Sequence, residues 1–125
     1  MTLTLSTLHQ VAGRLQDLPS TRAFYTDILG AHFLAEFDPP GLVFFDFGGT
    51  RLLLERDNTP ATLYLWVDDI DDACGQLQAH GVALETAPHL IHKDEAGTFG
   101  PAGAEEWMAF FKDPSDNTLV LATRR

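Results

Sequence analysis

A strand–turn–strand segment over residues 107–121 (WMAFFKDPSDNTLVL) constrains the fold of this chain most strongly. Its first five residues form an apolar and aromatic run, which is typical of a mostly buried strand. Asp113, Pro114 and Asn117 then end the run, because proline fixes φ and lacks an N–H donor, while Asp and Asn bond the local backbone. Residues 118–121 resume an extended pattern, so the segment predicts a β-hairpin.

The first half of the chain contains a second aromatic hairpin, LVFFDF over residues 42–47 and TRLLLE over residues 50–55, joined by Gly48 and Gly49. In each half, the pattern predicts a strand, a helix and another strand before the two strands of the hairpin. Each half is therefore predicted to contain a strand, a helix and three further strands. One such half cannot bury both a helix face and a sheet face alone. The sequence therefore predicts an α+β fold of two paired βαβββ modules, about residues 1–57 and 61–125, in one domain.

The first strand is predicted over residues 3–15, where a period of two places Gln10 and Arg14 on one face and Val11 and Leu15 on the other. A helix is predicted over residues 22–29, entered through residues 17–20. The second helix begins in the acidic run over residues 68–72, which the helix dipole favours, and ends at Gly81.

The remaining strands of the second module are predicted over residues 62–67, 82–85 and, after an interruption, 88–92. Residues 93–103 (KDEAGTFGPAG) form a loop containing glycine and proline. Two interpretations of this loop stay open, a mobile lid whose glycines give wide backbone freedom and a plain surface connection.

Composition excludes several classes of partner. The net charge of −10 argues against nucleic acid and anionic lipid, which both need a basic surface. We expect no signal peptide, and no stretch approaches the roughly 20 apolar residues of a membrane span. The single cysteine, Cys74, rules out an internal disulfide and is expected to be a buried, inert thiol. A cytoplasmic location is the default expectation.

Three motifs along the chain form a recognisable series. Residues 17–18 (DL) lead to FYTDILG over residues 24–30, VDDI over residues 67–70 leads to Gly81, and DPSDN follows over residues 113–117. In order and spacing they resemble the vicinal oxygen chelate (VOC) superfamily, which includes glyoxalase I, bleomycin-resistance proteins, methylmalonyl-CoA epimerase and extradiol dioxygenases. The resemblance covers nearly the whole chain. It implies two βαβββ modules whose mixed sheet curls into a cupped cavity, and a homodimer.

The resemblance also implies where a metal would bind. Metal enzymes of the superfamily carry ligands at four strand positions, which correspond by spacing to Gln10, Leu53 or Glu55, Thr62 and Val120. Zinc, iron and nickel need imidazole, carboxylate or thiolate donors at about 2.0–2.3 Å. Threonine and valine supply none of these, so we expect no metal at the usual place and no other cofactor.

The resemblance also implies that side chains on the same sheet face as these four metal positions line the cup. An aromatic wall with a few polar groups is typical of a small-molecule pocket. The plainer interpretation is ordinary sheet core for Trp66 and a cross-strand ion pair for Glu55 with an arginine. The predicted ligand-binding residues are Gln10, Arg14, Arg51, Glu55, Tyr64, Trp66, His92 and Trp107.

His89 and His92 are the remaining candidates for chemistry. Residues three apart on an extended strand point to opposite faces, so the two imidazoles are not expected to chelate one ion. His92 lies where the strand opens into the loop, and histidine can act as an acid or base near neutral pH. His92 and Glu55 are therefore the candidate catalytic residues. The plainer interpretation is two partly exposed histidines.

Three functions follow from these observations. The leading hypothesis is a protein that binds a small organic ligand in an aromatic cup without the usual metal. The alternative is a divalent-metal lyase, isomerase or dioxygenase that uses Gln10, Glu55 and His92 to hold Ni²⁺, Zn²⁺, Fe²⁺ or Mn²⁺. A structural or partner-binding module is the third, and it predicts a cup filled by side chains.

Overall fold

A computed structural model describes residues 2–125, which form two compact units with their boundary between Ala61 and Thr62. The first unit contains, in chain order, β1 (Gln10–Arg14), α1 (Leu18–Ala23), β2 (His32–Phe37), β3 (Leu42–Phe47) and β4 (Thr50–Glu55). The second contains β5 (Thr62–Trp66), α2 (Ile70–Ala79), β6 (Leu84–Asp94), β7 (Ala104–Lys112) and β8 (Thr118–Arg124). Both units have the predicted βαβββ order, and we call them the first and second modules.

Each module has one four-stranded open sheet with the same topology. The strand order is β1-β4-β3-β2 in the first module and β5-β8-β7-β6 in the second. In both, the strand before the helix pairs in parallel with the last strand, and the other neighbours pair antiparallel. The internal repeat predicted from the sequence is therefore a repeat of topology.

The two helices begin at aspartate caps. The Asp17 carboxylate accepts a hydrogen bond from the Ser20 backbone N–H at 3.0 Å, and Asp69 accepts from Asp72 N–H at the same distance. Because Asp17 caps it, the first helix begins at Leu18, earlier than the predicted residue 22, and continues through a π-helical turn, Phe24–Ile28. No helix in the described part of the chain is long and apolar enough to cross a bilayer.

One face of each sheet packs against the helix of its own module. In the first module this face carries the buried Val43, Phe45, Leu52 and Leu54, and Tyr25 stacks on Phe45 with ring centroids 4.9 Å apart. In the second module it carries Ala109, Phe111, Leu119 and Leu121. We call the other side of each sheet the helix-free face. Cross-strand neighbours share a face, so its members follow from the pairing register.

Two strand predictions were wrong at their boundaries. The first strand covers Gln10–Arg14 only, because its partner strand is in register with it from Arg51 to Glu55 and residues 2–9 lie exposed before it. The predicted strands 82–85 and 88–92 form one continuous strand, Leu84–Asp94. Pro88 does not break this strand, because β6 lies at the sheet edge, where proline's missing donor costs least.

Candidate functional site

Four predicted residues lie together on the helix-free face of the first module. Gln10 pairs with Arg51 and Arg14 pairs with Glu55 between β1 and β4, so all four side chains share this face. Arg51 is exposed, and its Nη2 lies 3.0 Å from His9 Nε2. His9 lies directly before the strand, where the period of two no longer holds, so its side chain can reach Arg51.

The polar ends of this face are separated along the strands. Glu55 lies four residues beyond Arg51, so the backbones of Gln10 and Glu55 are about 13 Å apart at roughly 3.3 Å per residue. Glu55 Oε1 accepts from Asn58 Nδ2 at 3.2 Å. Gln10 Oε1 is buried and has no hydrogen-bond partner among the described residues. The two groups therefore act separately.

The helix-free face of the second module is aromatic at one edge and apolar in the middle. Tyr64 and Trp66 are each 61% exposed, and the Trp66 Nε1–H donates to Asp68 Oδ1 at 3.0 Å, which fixes the indole. Reading across the sheet from β5 to β6, one row is Tyr64, Val120, Phe110 and Thr86, and the next is Trp66, Ala122, Met108 and His89. The arrangement is an apolar floor with an aromatic rim.

His89 and His92 share a face, contrary to the sequence-based expectation. His89 pairs with Met108 and His92 pairs with Glu106, two residues apart on β7, because a bulge after Leu90 inserts one extra residue. His89 stacks on Phe110 with centroids 6.0 Å apart, and its Nδ1 lies 2.9 Å from the Ala87 carbonyl oxygen. A carbonyl oxygen can only accept, so Nδ1 is the donor there, and in a neutral imidazole Nε2 is then an acceptor.

Trp107 is separated from Tyr64 and Trp66 within the second module. It pairs with Thr123 and so lies on the helix side of its sheet, opposite Tyr64 and Trp66. Arg125 covers its ring at 4.2 Å and bonds Asp71 in α2. This contact ties the end of the chain to the helix. The placement makes Trp107 a packing residue of the second module.

The predicted loop is built around one buried carboxylate. Asp94 accepts from the backbone N–H groups of Thr98 and Phe99 at 2.7 and 2.8 Å and from Arg124 Nη2 at 3.0 Å. The Phe99 and Thr98 N–H bonds and the Arg124 guanidinium hold the pKa of Asp94 below its usual range. Gly97 and Gly103 N–H groups also donate to the Asp94 carbonyl. These contacts favour the interpretation of an anchored surface connection.

Cys74 has no feature of a nucleophile. Its side chain is buried in α2, and burial together with the nearby Asp71 carboxylate raises the pKa of the thiol. A raised pKa lowers the thiolate fraction, which is the reactive form.

Comparison with known proteins decides the family. The family model "Glyoxalase/Bleomycin resistance protein/Dioxygenase superfamily" matches residues 7–121. The chain belongs to this superfamily. No curated protein gives a significant match.

Solved structures of the superfamily's fold match over nearly their whole length. A lactoylglutathione lyase from Agrobacterium tumefaciens is 22% identical with a TM-score of 0.71, covering 94% of this chain and 93% of that one. A superfamily member from Sphaerobacter thermophilus is 21% identical with a TM-score of 0.72, covering 96% and 98%. A protein from the mobile metagenome of V. Pseudocholerae is 22% identical with a TM-score of 0.76, covering 98% of both chains. At these identities the likeness shows the fold alone.

The residues at the superfamily's metal positions do not fit a metal. Leu53 and Val120 are apolar, Thr62 is a neutral hydroxyl, and Gln10 offers only a neutral amide oxygen, which is none of the donors that these metals need. Glu55 is about 13 Å along the strands from Gln10. Within residues 2–125, no three His, Cys, Asp or Glu side chains are grouped to hold an ion. The chemistry of this donor set therefore supports no step through a metal.

The sequence analysis missed several side chains on these faces. Met108 and Phe110 form the floor beside Trp66 and Tyr64, and their alternation along β7 was a usable signal for one face. Glu106 lies inside β7, between His92 and Arg124 in register. That register depends on the bulge after Leu90, which leaves no clear mark in the sequence.

Proposed function

We propose that this superfamily member binds a small organic ligand on the helix-free face of its second module, without the metal that its enzymatic relatives use. The observation that carries the proposal is the pair of exposed aromatic side chains, Tyr64 and Trp66, beside an apolar floor. Large exposed aromatic surface is costly in water and is typical of binding sites. Bleomycin-resistance-type sequestration is the nearest analogue.

Polar groups at the ends of the floor supply orientation. His89 presents Nε2 as an acceptor, and Glu106 lies between His92 and Arg124 on neighbouring strands. Because Arg124 already bonds Asp94, its charge is partly neutralised there. A flat ligand stacked on Trp66 can therefore meet an imidazole acceptor and a carboxylate along its edges.

The alternative function is a metal-dependent lyase, isomerase or dioxygenase. The orphaned Gln10 Oε1 is the observation that favours it, because a buried acceptor without a partner is costly and a cation would satisfy it. Against it stand the separation of Gln10 from Glu55 and the residue types at the other positions, Leu53, Thr62 and Val120. A homodimer and a cytoplasmic location stay predictions from the sequence.

A thermal-shift screen of small planar aromatic compounds, run in EDTA, tests the proposal. We expect Trp66→Ala and Tyr64→Ala each to weaken binding of the best compound by about tenfold or more, since each removes roughly 1.5–3 kcal/mol of apolar burial. Leu90→Ala is the matched control, because it removes an exposed apolar side chain from the opposite face of the same sheet. An equal loss of affinity for this compound in Leu90→Ala would contradict the proposal. In a separate series without EDTA, stabilisation by one equivalent of Ni²⁺, Zn²⁺, Fe²⁺ or Mn²⁺ would favour the enzyme.

A further inference from the structure

The first module has an open apolar cleft that the proposed function does not use. It has a volume of about 250 Å³ and is lined by Leu34, Ala35, Phe37, Phe44 and Arg51. Leu34 and Phe37 are 43% and 52% exposed, which is high for large apolar side chains. Four apolar side chains and one guanidinium give the cleft an apolar part and a cationic part.

The cleft is a product of the strand register. A bulge between Phe33 and Ala35 adds one residue to β2, so Leu34 is brought beside Ala35 on the helix-free face. Phe37 meets Phe44 edge to face with centroids 6.2 Å apart. A bulge changes the direction of one side chain, while the strands stay paired on both sides of it. The backbone that carries the lining residues is therefore fixed by the hydrogen bonds of the sheet.

Arg51 keeps hydrogen-bond donors for a ligand. Its guanidinium carbon lies 5.8 Å from the centre of the Phe44 ring, and Nη2 contacts His9. Asp46 is opposite Arg51 in register, but its Oδ1 accepts from Gly49 N–H at 3.2 Å. Among the described residues no carboxylate forms an ion pair with Arg51. The planar N–H fork is therefore available at the edge of an apolar cleft.

We propose that this cleft binds a small amphiphilic carboxylate, with its apolar part against Phe37 and Phe44 and its carboxylate on Arg51. Arginine binds carboxylate through two parallel N–H bonds, which gives both strength and orientation. The volume lies below the roughly 300–1,000 Å³ of drug-sized pockets, which favours a short chain or a single ring. Every lining residue belongs to the first module, so the cleft shares no residue with the face that carries Tyr64 and Trp66.

The inference is tested by comparing three compounds that differ in their head group, octanoate, octylamine and octanol, each below its aggregation concentration. They share an eight-carbon chain, and isothermal titration of the whole protein gives each affinity. We expect octanoate to bind about tenfold more tightly than octylamine, although the net charge of −10 favours the amine at long range. Arg51→Gln should abolish this preference and leave octanol binding unchanged.

Two further variants separate the head-group contact from general effects. Lys93→Gln removes the same charge from an exposed site in the second module and should keep the preference for octanoate. Leu34→Ala, at an exposed wall position, should weaken octanoate and octanol by the same factor. Equal binding of octanoate and octylamine to the wild-type protein, no octanoate binding, or an equal loss in Lys93→Gln would overturn the inference.

Discussion

Replacement of Asp113 by alanine should lower the free energy of unfolding by about 3 kcal/mol or more. Asp113 is 5% exposed, and its carboxylate accepts from the backbone N–H groups of Ser115 and Asn117 and from Asn117 Nδ2, all within 2.9 Å. Ser115 and Asn117 are themselves fully buried. The variant removes the carboxylate that accepts three buried N–H bonds, and the loss of each such bond costs about 1–3 kcal/mol.

Urea unfolding followed by circular dichroism measures this loss. Asp116→Gly is the matched control, since Asp116 lies in the same turn, is exposed and has φ of 68°, a conformation that glycine adopts freely. We expect the control to change the unfolding free energy by less than about 1 kcal/mol. A loss of less than about 1 kcal/mol in Asp113→Ala would mean that this turn does not hold the β7–β8 hairpin together.

Replacement of Asp94 by asparagine should release the loop over residues 95–103. The carboxylate is 2% exposed and receives two backbone N–H bonds and the Arg124 guanidinium, which asparagine cannot satisfy equally. Phe99 is 72% exposed and offers a chymotrypsin site in this loop. We expect cleavage after Phe99 to become roughly tenfold faster than in the wild-type protein, because cleavage follows local opening.

Glu95→Gln is the control for the loop, since it makes the same change of charge at the adjacent exposed residue. Its cleavage rate should match that of the wild-type protein. Equal rates in Asp94→Asn and the wild-type protein would show that the buried carboxylate does not order the loop.

The same loop should respond to acid in a defined direction. The pKa of Asp94 is lowered in the folded protein, so its stabilising contribution is fully present above the unfolded value of about 3.9 and is lost as pH falls through the lower folded value. The amide proton resonances of Thr98 and Phe99 should therefore stay constant from neutral pH to about pH 4 and shift below it. Asp94→Asn should show no such acid transition at these amides.

The features that the sequence predicted are local ones. Asp17 and Asp113 act on residues two to four positions away, so the helix entrance and the turn are visible in the sequence, although the first helix begins at Leu18 and not at residue 22. Alternation in residues 10–14 likewise placed Gln10 and Arg14 on one face, because the strand pairs regularly there. The loss of metal donors could be predicted because Thr62 and Val120 are the wrong residue types whatever their geometry.

The features that the sequence did not predict depend on distant pairing. His89 and His92 share a face only because a bulge against β7 shifts the register, and Leu34 reaches the first-module cleft for the same reason. The Asp94–Arg124 bond joins residues 30 positions apart. Trp107 has the aromatic character of a binding residue, but the register with Thr123 turns it towards the helix.

The two tryptophans lie on opposite faces of one sheet, and their fluorescence tests the central claim most directly. Trp107→Phe leaves Trp66 as the single reporter on the helix-free face, and Trp66→Phe leaves Trp107 on the helix side. Titration with the best compound of the aromatic set, in EDTA, should give a saturable change from Trp66 and none from Trp107. A saturable change from Trp107 alone, or binding that appears only when EDTA is replaced by one equivalent of a divalent metal, would contradict ligand binding by the metal-free aromatic face.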